Sequence, residues 1–148
     1  MNEDDAFLSE VIPQLRQEIT ALHSGDAQPR KALWSHDDPV TLFGAELSGR
    51  GWGEIEPAFD RLAASFSGSG SCDYEVLGAG VSGDLGYVAA IERSVAASAG
   101  GELRPYALRV TTVLRREDGA WKVVHRHGDP FDDSARKMLA ARKEQGPG

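Results

Sequence analysis

The stretch DGAWKVVHRHGDP, Asp118 to Pro130, decides how this chain is read. Asp118-Gly119 is the composition of a two-residue hairpin turn, whose central positions both favour positive φ. The alternating AWKVVHRHGD behind it reads as the last strand of a sheet. Histidines two positions apart on a strand look to the same side, with Cα atoms about 7 Å apart. What they face depends on how this strand pairs with its neighbour.

With Asp118-Gly119 as the loop, Val123 lies opposite Leu114, His125 opposite Thr112 and His127 opposite Val110. Trp121, Val123, Leu108 and Leu114 then share a face with both histidines, while Lys122, Arg126, Arg109 and Arg115 make the other face the wetter one. Upstream, CDYEVLGAGVSG, LGYVAAIERSVAA and ELRPYALRVTTVLRRE are further strands parted by glycine turns. Taking Gly100-Gly101 as a second two-residue loop adds Tyr87, Ala89, Ile91 and Arg93 to the apolar face, with Arg93 in the row of Asp129. A slip of one residue there would turn Arg93 outward and Glu92 inward.

The first third is helical. Phe7, Leu8, Val11, Ile12, Leu15, Ile19 and Leu22 recur at three and four. Pro13 implies a start or a kink near it, and Gly25 closes the helix. Asp26 is placed to cap a second short helix, AQPRKALWS, with Pro29 in its first turn. PVTLFGA reads as a strand, Gly49, Gly51 and Gly53 break the chain, and a third helix shows Ile55, Phe59, Leu62 and Phe66 on one face. The tail from Asp132 to Lys143 reads as a charged helix, and residues 144–148 as a frayed end. Helices first and an antiparallel meander after them mean α+β, with the helices on one face of the sheet.

A length of 148 residues fits one domain spanning 1–148. A net charge of −7 argues against nucleic acid and anionic lipid as partners. No apolar run reaches the roughly 20 residues of a membrane span, and the acidic start MNEDD is unlike a secretory signal, so a cytoplasmic location is expected. Cys72 is the single cysteine, which rules out an internal disulfide.

ALWSHDDPVTLFGA, GWGEIEPAFDRLAASFSG, GVSGDLGYVAAIER and LRVTTVLRREDGAWKVVHRHGDP, in this order, resemble the SnoaL-like and ketosteroid isomerase-like branch of the nuclear transport factor 2-like superfamily. The resemblance implies a cone, a strongly curved and mainly antiparallel sheet wrapped around three N-terminal helices, with a pocket between its concave face and the second helix. It implies dimers joined through the sheet, and members that are isomerases, cyclases, dehydratases, hydrolases or noncatalytic binding modules. The ending of the second helix, Leu33, Trp34 and Ser35, and the segment Trp121 to His127 fall where such folds border the cavity. A carboxylate base with a tyrosine and a protonated aspartate as oxyanion hole, the ketosteroid isomerase set, finds no residue-by-residue match here.

On this frame His125, His127 and Asp129 are the catalytic candidates, since a neutral imidazole with a pKa near 6.5 can move a proton to or from an organic substrate. The same three residues resemble a facial metal triad, but the set is short of ligands and support, so no metal and no other cofactor is expected. The blander alternative has His125 bonded to Thr112 and His127 closing the strand end. Trp34, Phe43, Trp52, Phe59, Tyr87 and Trp121 are candidate walls for an apolar ligand or plain core, with Thr112 as a candidate ligand-binding residue among them. His36 stands at the mouth with Asp37 and Asp38. Arg93 either anchors a ligand carboxylate or pairs with Asp129. Two functions stay open: a cofactor-independent acid-base enzyme acting on an apolar small molecule, and a noncatalytic ligand-binding or interaction module. Val113, Val124, Thr111 and Ala90 on the wet face point to a homodimer joined through the outer sheet surface.

Overall fold

A computed structural model describes residues 2–44, 47–98 and 100–131; the expected helix from Asp132 and the frayed end lie outside them. In chain order the elements are α1 (Glu3–His23), α2 (Gln28–Leu33), β1 (Thr41–Phe43), β2 (Ser48–Arg50), α3 (Trp52–Ala64), β3 (Phe66–Ser82), β4 (Leu85–Ser98), β5 (Leu103–Glu117) and β6 (Ala120–Pro130). The strands form one sheet in the order β2-β1-β6-β5-β4-β3, antiparallel except where β1 runs parallel to β6. The helices cover its concave face, which gives the expected α+β cone.

Local chemistry explains the helix ends. Asn2 accepts the Asp5 N–H at 2.8 Å and starts α1, which runs through Pro13 and stops before Gly25, at φ +89°. Asp26 accepts the first N–H of α2 at 2.9 Å, as the sequence led one to expect. Gly51 gives α3 no side-chain cap, and the Asp38 carboxylate supplies one from across the loop, taking the Trp52 N–H at 2.9 Å. Two boundaries differ from expectation. Phe66 opens β3 rather than closing α3, and Ser48–Arg50 is a short edge strand instead of a break.

The core joins α1 (Phe7, Val11, Leu15, Ile19), α3 (Ile55, Phe59) and the inner sheet face (Val88, Leu114, Trp121, Val123). Phe7 meets Trp121 edge-on at 4.8 Å, and Trp34 meets Phe59 at 5.1 Å. Burying side chains of this size contributes roughly 1.5–3 kcal/mol each.

Register decides what faces the cone. Leu114 pairs with Val123 as the hairpin turn requires, but the next pair is Val113 with His125, so Val124 is an extra residue in β6. That β-bulge reverses the alternation beyond it. Arg126 and Gly128 point inward, and His125, His127 and Asp129 point outward. The β4–β5 connection differs too. Ala97 pairs with Leu103, leaving five residues between them where a two-residue turn demands an even number, so Glu92 faces in and Tyr87 and Arg93 face out.

Candidate functional site

The bulge moves the expected site to the outer face. His125 places Nδ1 2.7 Å from Thr41 Oγ1, and its neighbour Phe43 stands edge-on to both His125 and His127, at 5.3 and 5.6 Å. Partial burial, and then the charge of His127, hold the His125 pKa below the usual histidine value. Asp129 lies 3.3 Å from His127 and 3.6 Å from Arg109, so its partners are these and not Arg93. Phe43 and Tyr87 are 49% and 46% exposed on this convex face. A shallow hollow of about 200 Å³ lies here over Ile91, bordered by Leu77, Arg109, Thr111 and His127. His36 is exposed and stacks on Trp52 at 4.1 Å, outside the cone. Trp34, Phe59 and Trp121 are core side chains, and Thr112 is buried as well, at 1% exposure.

The interior holds a polar cluster instead. The apolar stripe of α1 continues through Glu18 and His23, which are therefore turned into the cone, 3% and 1% exposed. Arg30 of α2 comes down on Glu18, its Nε meeting Oε2, with its guanidinium 5.5 Å from the Phe59 ring. The sheet contributes Tyr74 beside Glu92, Thr112 beside Val88, and Arg126 inward past the bulge. Arg126 binds Glu92 through both amines, Nη1 to Oε2 at 2.7 Å and Nη2 to Oε1 at 3.0 Å. At the lip, Tyr106 of β5 meets His23 Nε2 with its hydroxyl, and both rings pack on Phe66.

Burial and charge set the protonation states. Burial, reinforced by the nearby Arg30, lowers the His23 pKa to about 4, so the imidazole is neutral near pH 7. Burial pushes the Tyr106 hydroxyl up to about 12 and raises Tyr74 as well, with Glu92 adding to both. Burial opposes ionisation of Glu92, yet Arg126 outweighs it and holds that carboxyl below its ordinary value. Glu18 goes the other way: burial raises it more than Arg30 lowers it. Three atoms in this cluster are buried without a hydrogen bond, His23 Nδ1, Tyr74 Oη and Thr112 Oγ1. Thr112 is close enough to Tyr74 to bear on its ionisation, but the two hydroxyls do not reach hydrogen-bond geometry.

Glu18, His23, Arg30, Tyr74, Tyr106 and Arg126 were not singled out as site residues from sequence, and Glu92 entered only as the inward alternative to Arg93. The available signal was a carboxylate and a histidine on the apolar stripe of α1. Among the described residues no group of three or more His, Cys, Asp or Glu is arranged to hold a metal ion. No described helix is long and apolar enough to cross a membrane.

Solved structures share this fold. A nuclear transport factor 2-like superfamily protein from Salmonella enterica superposes with a TM-score of 0.69 at 15% identity, covering 88% of this chain and 94% of that one. A ketosteroid isomerase-like protein from Erwinia carotovora gives 0.69 at 18% identity over 89% and 99%. The association domain of the Caenorhabditis elegans CaMKII gives 0.64 at 16% identity over 87% and 99%. A search of curated proteins finds no significant match. Those structural neighbours have the nuclear transport factor 2-like fold; the SnoaL-like domain family matches residues 13–131, from the first helix to the end of β6, and the chain belongs to that family.

Proposed function

We propose that this is a small-molecule-binding protein that seats the polar end of a mostly apolar ligand inside the cone, on His23, Tyr74 and Thr112. The observation that carries this reading is the trio of unpartnered atoms in an interior whose carboxylates and guanidiniums are paired. Buried polar atoms are nearly always bonded, and each one left unpaired costs about 1–3 kcal/mol. Two hydroxyls and one imidazole nitrogen in one cluster therefore have the composition of a site completed by a ligand. The Phe59 ring beneath the Arg30 guanidinium suits an apolar body next to the polar end. Acid-base chemistry is compatible with the same place, because a neutral imidazole backed by a tyrosine hydroxyl can accept a proton. The protein is further proposed to act as a homodimer through its convex face.

The test is a ligand-observed NMR screen of small aromatic and alicyclic fragments against the wild type, Tyr74→Phe and Thr112→Val. Bound fragments should lose at least tenfold in affinity in one of the variants. Both variants should unfold at the same or a higher temperature than the wild type, since each removes an unpaired hydroxyl. Fragments that bind all three proteins equally would place the ligand elsewhere.

A further inference from the structure

The two interior ion pairs differ in how much of each arginine they use. Arg126 commits both Nη amines to both oxygens of Glu92. Arg30 meets Glu18 through Nε, and no other hydrogen bond of its fork is made among the described residues. The Glu18–Arg30 pair comes from the helices, with side chains 4% exposed on each partner; Arg30 acts on His23 and Glu18 on Tyr74, two of the residues that carry unpaired atoms. A planar guanidinium with two uncommitted amines fits a carboxylate, which also accepts from hydroxyls.

Building on the reading of the cone interior as a ligand site, we infer that the ligand's polar end is a carboxylate taken by Arg30, and that Glu18 gains one proton as it binds. The reason is charge balance. Glu18, Glu92, Arg30 and Arg126 sum to zero, and an added anion would leave a net negative charge out of water, which is costly. A proton moving from solvent to Glu18 restores neutrality, releases Arg30 to the incoming anion and gives Glu18 an O–H to donate. The charged and titratable groups around Glu18 are Arg30 of α2, Arg126 of β6, Glu92 of β4, and Tyr74 and Cys72 of β3. Ionised Glu18 is held by Arg30 against burial, which raises its pKa, so the carboxyl takes up a proton readily once Arg30 turns to another anion. His23 is the competing acceptor, but Arg30 remains beside it and opposes its charge.

Benzoate and its neutral analogue benzamide are suitable probes. Calorimetric titration of the full chain with benzoate at pH 7, in phosphate and in Tris, should show uptake of close to one proton per benzoate. Affinity should fall about tenfold per pH unit between pH 6 and 8, the slope of a one-proton linkage. Glu18→Gln, its fold checked by circular dichroism, should abolish the uptake and flatten the slope, whereas His23→Gln should leave both. Benzoate binding without proton uptake, or uptake that disappears in His23→Gln and persists in Glu18→Gln, overturns the assignment. Benzamide binding in preference to benzoate, with loss in Tyr74→Phe, overturns the carboxylate and leaves the ligand site standing. An empty fragment screen together with no binding of either probe removes the ligand site itself.

Discussion

Arg126 and Glu92 exchange two hydrogen bonds out of water, so removing either partner strands the other's charge. Arg126→Ala should destabilise by about 3–5 kcal/mol. Arg109→Ala, whose partner Asp129 is half exposed, should cost less than about 1 kcal/mol. Urea unfolding of the two variants checks the contrast, and equal losses would count against a sealed interior. His23 gives a pH test. Its folded pKa of about 4 lies below the ordinary 6.5, so between these values the unfolded chain binds more protons than the folded one. Stability therefore falls as pH drops through that window and levels off below it. A shift of this size corresponds to at most about 3 kcal/mol. The comparison that isolates it is His23→Gln, which should unfold with a shallower pH dependence over pH 6.5 to 4; parallel profiles would mean that His23 is solvated. These residues were hard to read in the sequence for a physical reason. Strand alternation advertises a histidine pair such as His125 and His127, whereas a buried histidine on a helix stripe looks like any polar residue at the helix end.

The elements themselves were legible. The helix stripe of α1, the Asp118-Gly119 turn and the glycine-bounded strands fixed the order of the elements and their class, because period and turn chemistry are local properties. What escaped was a bulge, one extra residue whose position depends on how two strands meet across the sheet. Val124 sits in VVHR with nothing local to mark it, yet it exchanges the inward and outward sets of β6. The Gly100 turn failed in the same way, by one residue. Glycines inside elements give a sharper test of how these elements fit. A Cβ at Gly86 of β4 would stand 2.9 Å from the Phe7 ring, which is itself held against Trp121, while a Cβ at Gly53 in α3 meets nothing within 4 Å. Gly86→Ala should destabilise by about 1–3 kcal/mol through overpacking. Gly53→Ala should stabilise by about 0.5 kcal/mol through the entropy of the unfolded chain. Thermal unfolding of the pair reads both signs, and a harmless Gly86→Ala would show that α1 sits less closely on β4.

At the scale of the molecule, the convex face is the surface left to account for. Its strands align two outward rows, Thr41, His125, Val113, Tyr87 and Gly80 in one, and Phe43, His127, Thr111, Ala89 and Gly78 in the next. Small side chains fill the middle, and Phe43, Leu77 and Tyr87 remain 49%, 65% and 46% exposed. Arg109 and Asp129 give the adjoining row both signs of charge. A surface that is apolar at its centre and carries both charges beside it can meet its own copy about a two-fold axis, each Arg109 facing the other's Asp129. A stable pair needs roughly 800 Å² from each partner, which a face this broad can supply. The chain of 15.9 kDa should therefore scatter light as a particle of twice that mass at micromolar concentration. Ala89→Arg, placed among the small residues at the centre, should give a folded monomer whose unfolding temperature no longer depends on concentration. A wild-type monomer at a hundred micromolar would leave the exposed aromatics unexplained by self-association, and an Ala89→Arg dimer would move the interface off this face.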